Sequence, residues 1–166
     1  MTIYLYGYLN KKVYLLKTKQ MSSLAKFLAT KKYIEVPLVL TGTHHLEVDC
    51  SINNQPGKFI LDTGASSSCV DPGVVEYFSL FAEESDVKAA GAGAINMQTQ
   101  VSTDNNLAIG DWQINDAQLV IFDLSHVNEA LEQHNAAKVH GIIGADILQE
   151  SDAIIDYKNE KLFLKP

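Results

Sequence analysis

The apolar run Phe59-Ile60-Leu61 stops abruptly at Asp62-Thr63-Gly64-Ala65-Ser66. A buried strand ending on a carboxylate, a hydroxyl and a glycine must turn at the point where it delivers its acid to the surface. Gly64 allows that turn to be tight and brings backbone N–H groups towards the Asp62 carboxylate. Thr63 and Ser66 add hydroxyls to the same turn. Further along, a second apolar run, Val139-His140-Gly141-Ile142-Ile143-Gly144, also ends on glycine.

The rest of the chain reads as short strands separated by turns. Tyr33 to Leu40 has strand character, with Pro37 marking an edge or a break. His44 to Ile52 alternates, placing Leu46, Val48 and Cys50 on one face and the neighbours His44 and His45 on opposite faces. Asn53 to Gly57 reads as a turn, Lys58 to Leu61 as a buried strand, and Ser68 to Val70 as the start of another. Asp71 caps a short helix through Tyr77, with Pro72 in its first turn. Val87 to Val101 is polar and small, a mobile hairpin centred on Gly91-Ala92-Gly93-Ala94. Leu107 to Trp112 leads into the apolar strand Ala117 to Phe122. Helices are expected over Asp123 to His134 and Ala145 to Gln149, and a closing hairpin over Ala153 to Tyr157 and Lys161 to Leu164. The pattern is that of an all-β barrel or sandwich with small helices.

Charge divides the chain. Residues 1–32 hold seven lysines and no acid, so they carry +7, and a total of -7 leaves -14 on residues 33–166. A main body of that sign repels a phosphate backbone, which argues against nucleic acid as a partner. We read residues 1–32 as a basic extension, helical over about 22–30, ahead of one domain over 33–166. In that helix Ser22 or Ser23 supplies the cap, and Leu24, Phe27 and Leu28 share a face. Residues 1–20 read as dispensable, with Met21 an alternative start. No apolar run approaches the roughly 20 residues of a membrane-spanning helix. The apolar residues of Met1 to Leu9 precede Lys11 and Lys12, the reverse of secretory order, so a cytoplasmic location is expected. Cys50 and Cys69 fit neither a metal spacing nor a disulfide framework and read as free, partly buried thiols.

Taken together, Asp62-Thr63-Gly64-Ala65-Ser66 and Ile142-Ile143-Gly144 resemble the single-lobed, bacterial-type retropepsin-like aspartic proteases, over roughly residues 34–166. That resemblance implies an all-β closed barrel of short strands with a flap hairpin and two or three short helices. Asp62 is then the catalytic residue of an aspartic endopeptidase, and Thr63, Gly64, Ala65 and Ser66 support its turn. Ile142, Ile143 and Gly144 pack behind that turn, and Ala90, Gly91, Ala92, Gly93, Ala94 and Ile95 form the flap over a peptide substrate. Two carboxylates about 3 Å apart cannot both ionise, which is the known logic of the aspartic-protease dyad. The chain has one Asp-Thr-Gly, so the resemblance implies a homodimer in which Asp62 meets its own twin. No metal or organic cofactor is implied.

One departure from the viral pattern stands out. Ala145 and Asp146 follow Gly144 where viral members place arginine, and the chain contains no arginine at all. The interface salt bridge of those enzymes has no counterpart here, which shifts the expected dimer contacts elsewhere, to the C-terminal strand for example. A rival reading keeps the fold as a binding or dimerisation module that cuts nothing. A two-carboxylate glycosidase needs a second acid that the sequence does not place beside Asp62. Gly91-Ala92-Gly93 lacks the third glycine of a nucleotide loop and reads as a hairpin tip. Ser66-Ser67-Ser68 lacks a nucleophile elbow. The five histidines do not cluster at metal-ligand spacing, and Trp112 reads as packing.

Overall fold

A computed structural model describes residues 22–91 and 94–166, with the backbone alone described for 85–91 and 94–98. The chain begins with α1 (Ser23–Thr30), whose N-cap Ser22 accepts a hydrogen bond from the Ala25 amide at 3.1 Å. Its buried face is Ala25 and Leu28, packed with Phe163, Tyr33 and Ile154. Leu24 and Phe27, expected to share the packed face, are 37% and 58% exposed. Phe163 meets the helix on the side where positions three apart stack, which turns Phe27 outwards.

The strand expected over Tyr33 to Leu40 is two strands in two different sheets. β1 (Ile34–Pro37) pairs with β11 (Lys161–Leu164), whereas β2 (Val39–Leu40) pairs with β3 (Leu46–Ile52). Pro37 ends the first ladder because it has no N–H to donate. His44 and His45 lie in the turn before β3, His44 at a φ of 63°, and not on the strand. The loop between β3 and β4 (Gln55–Leu61) is also shorter than expected. Asn53 and Asn54, with φ of 49° and 67°, form a two-residue turn whose twist suits a hairpin, so pairing resumes at Gln55.

β4 leads through the Asp62 turn to β5 (Cys69–Val70). A single 3-10 turn at Pro72–Val74 replaces the expected helix through Tyr77, with Asp71 accepting from the Gly73 amide as its cap. The long hairpin follows, β6 (Glu83–Gly91) against β7 (Ala94–Ile109), then β8 (Trp112–Ile121). Ala90, Gly91, Ala94 and Ile95 lie on its strands, while Ala92 and Gly93, the expected flexible tip, lie outside the described residues. The chain closes with α2 (Ser125–Gln133), β9 (Gly141–Ile143), α3 (Ala145–Glu150), β10 (Ile154–Asp156) and β11.

Six strands close into a barrel in the order β3–β4–β9–β5–β8–β7, the ring being completed by Ser51 opposite Ala108 and Ile52 opposite Leu107. The fold is therefore the expected all-β barrel with short helices. Its core takes alternate residues of each strand, among them Val48, Cys50, Phe59, Leu61, Ile109, Leu119 and Ile143. Trp112 is buried packing, its indole N–H donating to the Lys165 carbonyl. The second sheet, β1–β11–β10, covers the barrel with Val36, Leu162 and Leu164 and carries α1 on its other face. β11 is paired on both edges within its own chain, so the C-terminal strand has no free edge to offer a partner. Among the described residues no helix is long and apolar enough to cross a membrane.

Candidate active site

β9 lies between β4 and β5, parallel to the first and antiparallel to the second. This placement brings the two glycine-terminated runs together. The β4–β9 pairing continues one residue beyond the strands, where the Asp62 amide donates to the Ile143 carbonyl at 3.0 Å. The chain then turns. Gly64 N–H donates to Asp62 Oδ1 at 2.8 Å, and the Ala65 amide donates to the Asp62 carbonyl at 3.2 Å. One carboxylate oxygen is thus fixed by the backbone of its own turn, which orients the side chain without a second side chain.

The turn is tied to the second run from behind. Ala145 N–H donates to the Ala65 carbonyl at 2.8 Å. Gly144 lies so close that a Cβ there would sit 2.7 Å from the Ser67 carbonyl carbon and 2.9 Å from the Ala65 oxygen. Backbone atoms do not yield to that contact, so only glycine fits. Ile142 and Ile143 continue the ladder opposite Ile60 and Leu61.

A clamp that sequence reasoning missed completes the frame. Ser68 is fully buried, and its Oγ accepts from Gly144 N–H at 2.9 Å while donating to Asp146 Oδ1 at 2.7 Å. Ser68 N–H donates to Asp146 Oδ2 at 2.8 Å, and Ile147 N–H donates to Oδ1 at 2.8 Å. The Asp146 carboxylate therefore joins the start of α3 to the far end of the Asp62 turn. Its sequence signal was an acid two residues beyond Gly144, with a hydroxyl residue shortly after the first motif.

Asp62, Thr63, Gly64 and Ser66 are exposed and Ala65 is half-buried, so in one chain the acid faces outwards on a rigid turn. Cys69 lies buried just behind. Burial pushes its thiol up to about 11, and the Asp146, Asp62 and Asp71 charges push the same way against a backbone hydrogen bond to Ile142. Beside Thr63 an open groove of about 700 Å³ runs past Ala145, Leu148, Gln149, Asp152 and Ala153. Among the described residues no group of three His, Cys, Asp or Glu side chains is placed to hold a metal ion.

Residues 48–147, which contain both runs, match the sequence profile described as aspartyl protease. The chain belongs to the aspartyl protease family. No curated protein matches it. Among solved structures, this aspartyl protease family member is similar to a retropepsin-like aspartic protease from Rickettsia conorii. Identity is 17% and the TM-score 0.56, over 80% of this chain and 89% of that one. It is also similar to EIAV protease in complex with an inhibitor, at 18% identity and a TM-score of 0.50, over 71% of this chain and 98% of that one. At such identities the likeness concerns the fold, which is retropepsin-like.

Proposed function

We propose that the protein is an aspartic endopeptidase whose site is completed by a second copy of the chain. The observation that carries this reading is the exposed Asp62 carboxylate, held by Gly64 N–H at the end of the β4–β9 pairing. Two such turns facing each other across a twofold axis bring two carboxylates together, and one retains a proton while the other is ionised. The ionised group takes a proton from water as the water oxygen attacks the peptide carbonyl carbon. The protonated group gives its proton to the carbonyl oxygen. A tetrahedral diol forms; it collapses with a proton passing to the departing amide nitrogen, leaving a carboxylic acid and an amine. Thr63 steadies the two turns across the axis, and the β6–β7 hairpin around Ala90 to Ile95 covers the peptide.

Asp62→Asn tests the reading. Digestion of a proteome-derived peptide library should be lost, while the circular dichroism and the unfolding transition stay those of the parent protein. Unchanged cleavage by the variant rejects the assignment. A folded parent that cuts nothing at any pH supports the binding module instead.

A further inference from the structure

We propose that Glu47 determines specificity, as the end of a subsite beside Asp62 that takes a lysine or arginine side chain of the substrate. This rests on the reading of Asp62 as the cleavage site. The register of β3 against β4 sets Asp49 opposite Lys58 and Glu47 opposite Ile60. Opposite residues share a face of the sheet, and the 3.1 Å ion pair between Asp49 and Lys58 shows two such side chains meeting. Asp62 follows Ile60 by two residues, and its amide still pairs with Ile143, so Asp62 belongs to that same face. Glu47 is therefore one step along the face from the acid that the proposed reaction uses.

The state of Glu47 calls for a cation. It is 6% exposed, and its Oε1 is, among the described residues, the one buried side-chain oxygen or nitrogen with no hydrogen-bond partner. Burying a carboxylate alone costs free energy that a cation in contact recovers. Lys58, diagonal to it across the ladder, is already taken by Asp49. Ile60 is roofed by Leu131 of α2 and by Val139, while Ile142 and Val127 at the margin are half-buried. A lysine or arginine side chain suits this arrangement, its methylene stem against the margin of the apolar patch and its charge on Glu47. The -14 carried by residues 33–166 draws cationic peptides to the same molecule.

Peptide cleavage by the full chain tests the subsite. The parent's cuts in a proteome-derived peptide library should be enriched in lysine or arginine at one of the two positions flanking the cut bond. Between matched peptides carrying lysine or norleucine there, Glu47→Gln should lower the lysine preference in kcat/KM by about ten-fold. Glu47→Leu should move the preference to apolar residues and raise the urea midpoint, because it removes an unpartnered buried carboxylate. Cleavage without basic enrichment, equal slowing of both peptides by Glu47→Gln, or a midpoint lowered by Glu47→Leu overturns the subsite and spares the hydrolase reading. Calorimetric titration of Asp62→Asn protein with a blocked alanine- and valine-rich peptide holding one lysine separates the two failures. Binding that weakens about ten-fold when Glu47→Gln is added, in a protein whose parent cuts nothing, keeps the subsite and rejects the hydrolase. Absence of such binding overturns the subsite.

Discussion

At the scale of the residue, the Asp62 turn depends on a second acid that does no chemistry itself. Asp146 accepts three donors, two from Ser68 and one from Ile147, and Ser68 holds Gly144 against the turn. Hydrogen bonds to a charged acceptor are worth more than neutral ones, and losing this set strands the buried Ser68 hydroxyl. Asp146→Ala should therefore cost about 2 kcal/mol in urea unfolding and slow cleavage by loosening the turn. Asp146→Asn, which keeps one acceptor oxygen, should lose less on both counts. A full-strength Asp146→Ala protein would show that Gly144 alone holds the turn. The stretch around Asn53 works in the same manner. Its side-chain amide donates to Phe78 O and Asn105 Oδ1, and its oxygen accepts from Asn106 N–H.

At the scale of the element, what the sequence discloses is set by how local the signal is. Alternation over Val48 to Ile52 and the apolar run ending at Asp62 report their own burial, although the first strand starts at Leu46 and not at His44, and the second at Gln55 and not at Lys58. The element behind the turn was legible as a motif, but its insertion between β4 and β5 is a tertiary fact with no local signature. Pro37 announced a break without revealing that the chain changes sheets there. Asn53-Asn54 hid a tight turn because polar residues and Pro56-Gly57 extended the apparent loop. The bonds made by Asp146 and Asn105 went unread for the same reason, since their partners are distant in sequence or set by a bulge. Helix α1 was placed by its cap, but of the three residues given to its face only Leu28 is buried, because Phe163 decides which side packs. Leu28→Ala should consequently destabilise the protein by about 2 kcal/mol. Phe27→Ala, on the exposed side, should change the unfolding midpoint little. The reverse order of effects would put Phe27 on the packed face.

At the scale of the whole molecule, folding buries two thiols, Cys50 in the barrel core and Cys69 behind the Asp62 turn. Burial pushes Cys50 up to about 12 and Cys69 up to about 11, from a value of 9.0 when unperturbed. Both folded values are raised, so the unfolded chain releases these protons first as pH climbs. Their contribution to stability is complete below about pH 9 and is lost as pH rises through 11 and 12, at up to about 1.4 kcal/mol per pH unit for each thiol. Unfolding free energy measured from pH 8 to 11 should fall, and Cys50→Ala with Cys69→Ala should flatten that fall. An unchanged slope in the double variant would assign the alkaline loss to other groups.

The same barrel delivers one acid per chain to an open face, and the central claim is that hydrolysis needs two of them together. Mixing decides this directly. Wild-type protein is held at constant concentration, Asp62→Asn protein is added in increasing excess, and the pair are left to exchange subunits before cleavage is measured. The account predicts that cleavage per wild-type chain falls towards zero as mixed dimers with one carboxylate replace the parent. Cleavage that holds steady under a large excess of Asp62→Asn would show that a single chain does the work, and would contradict it.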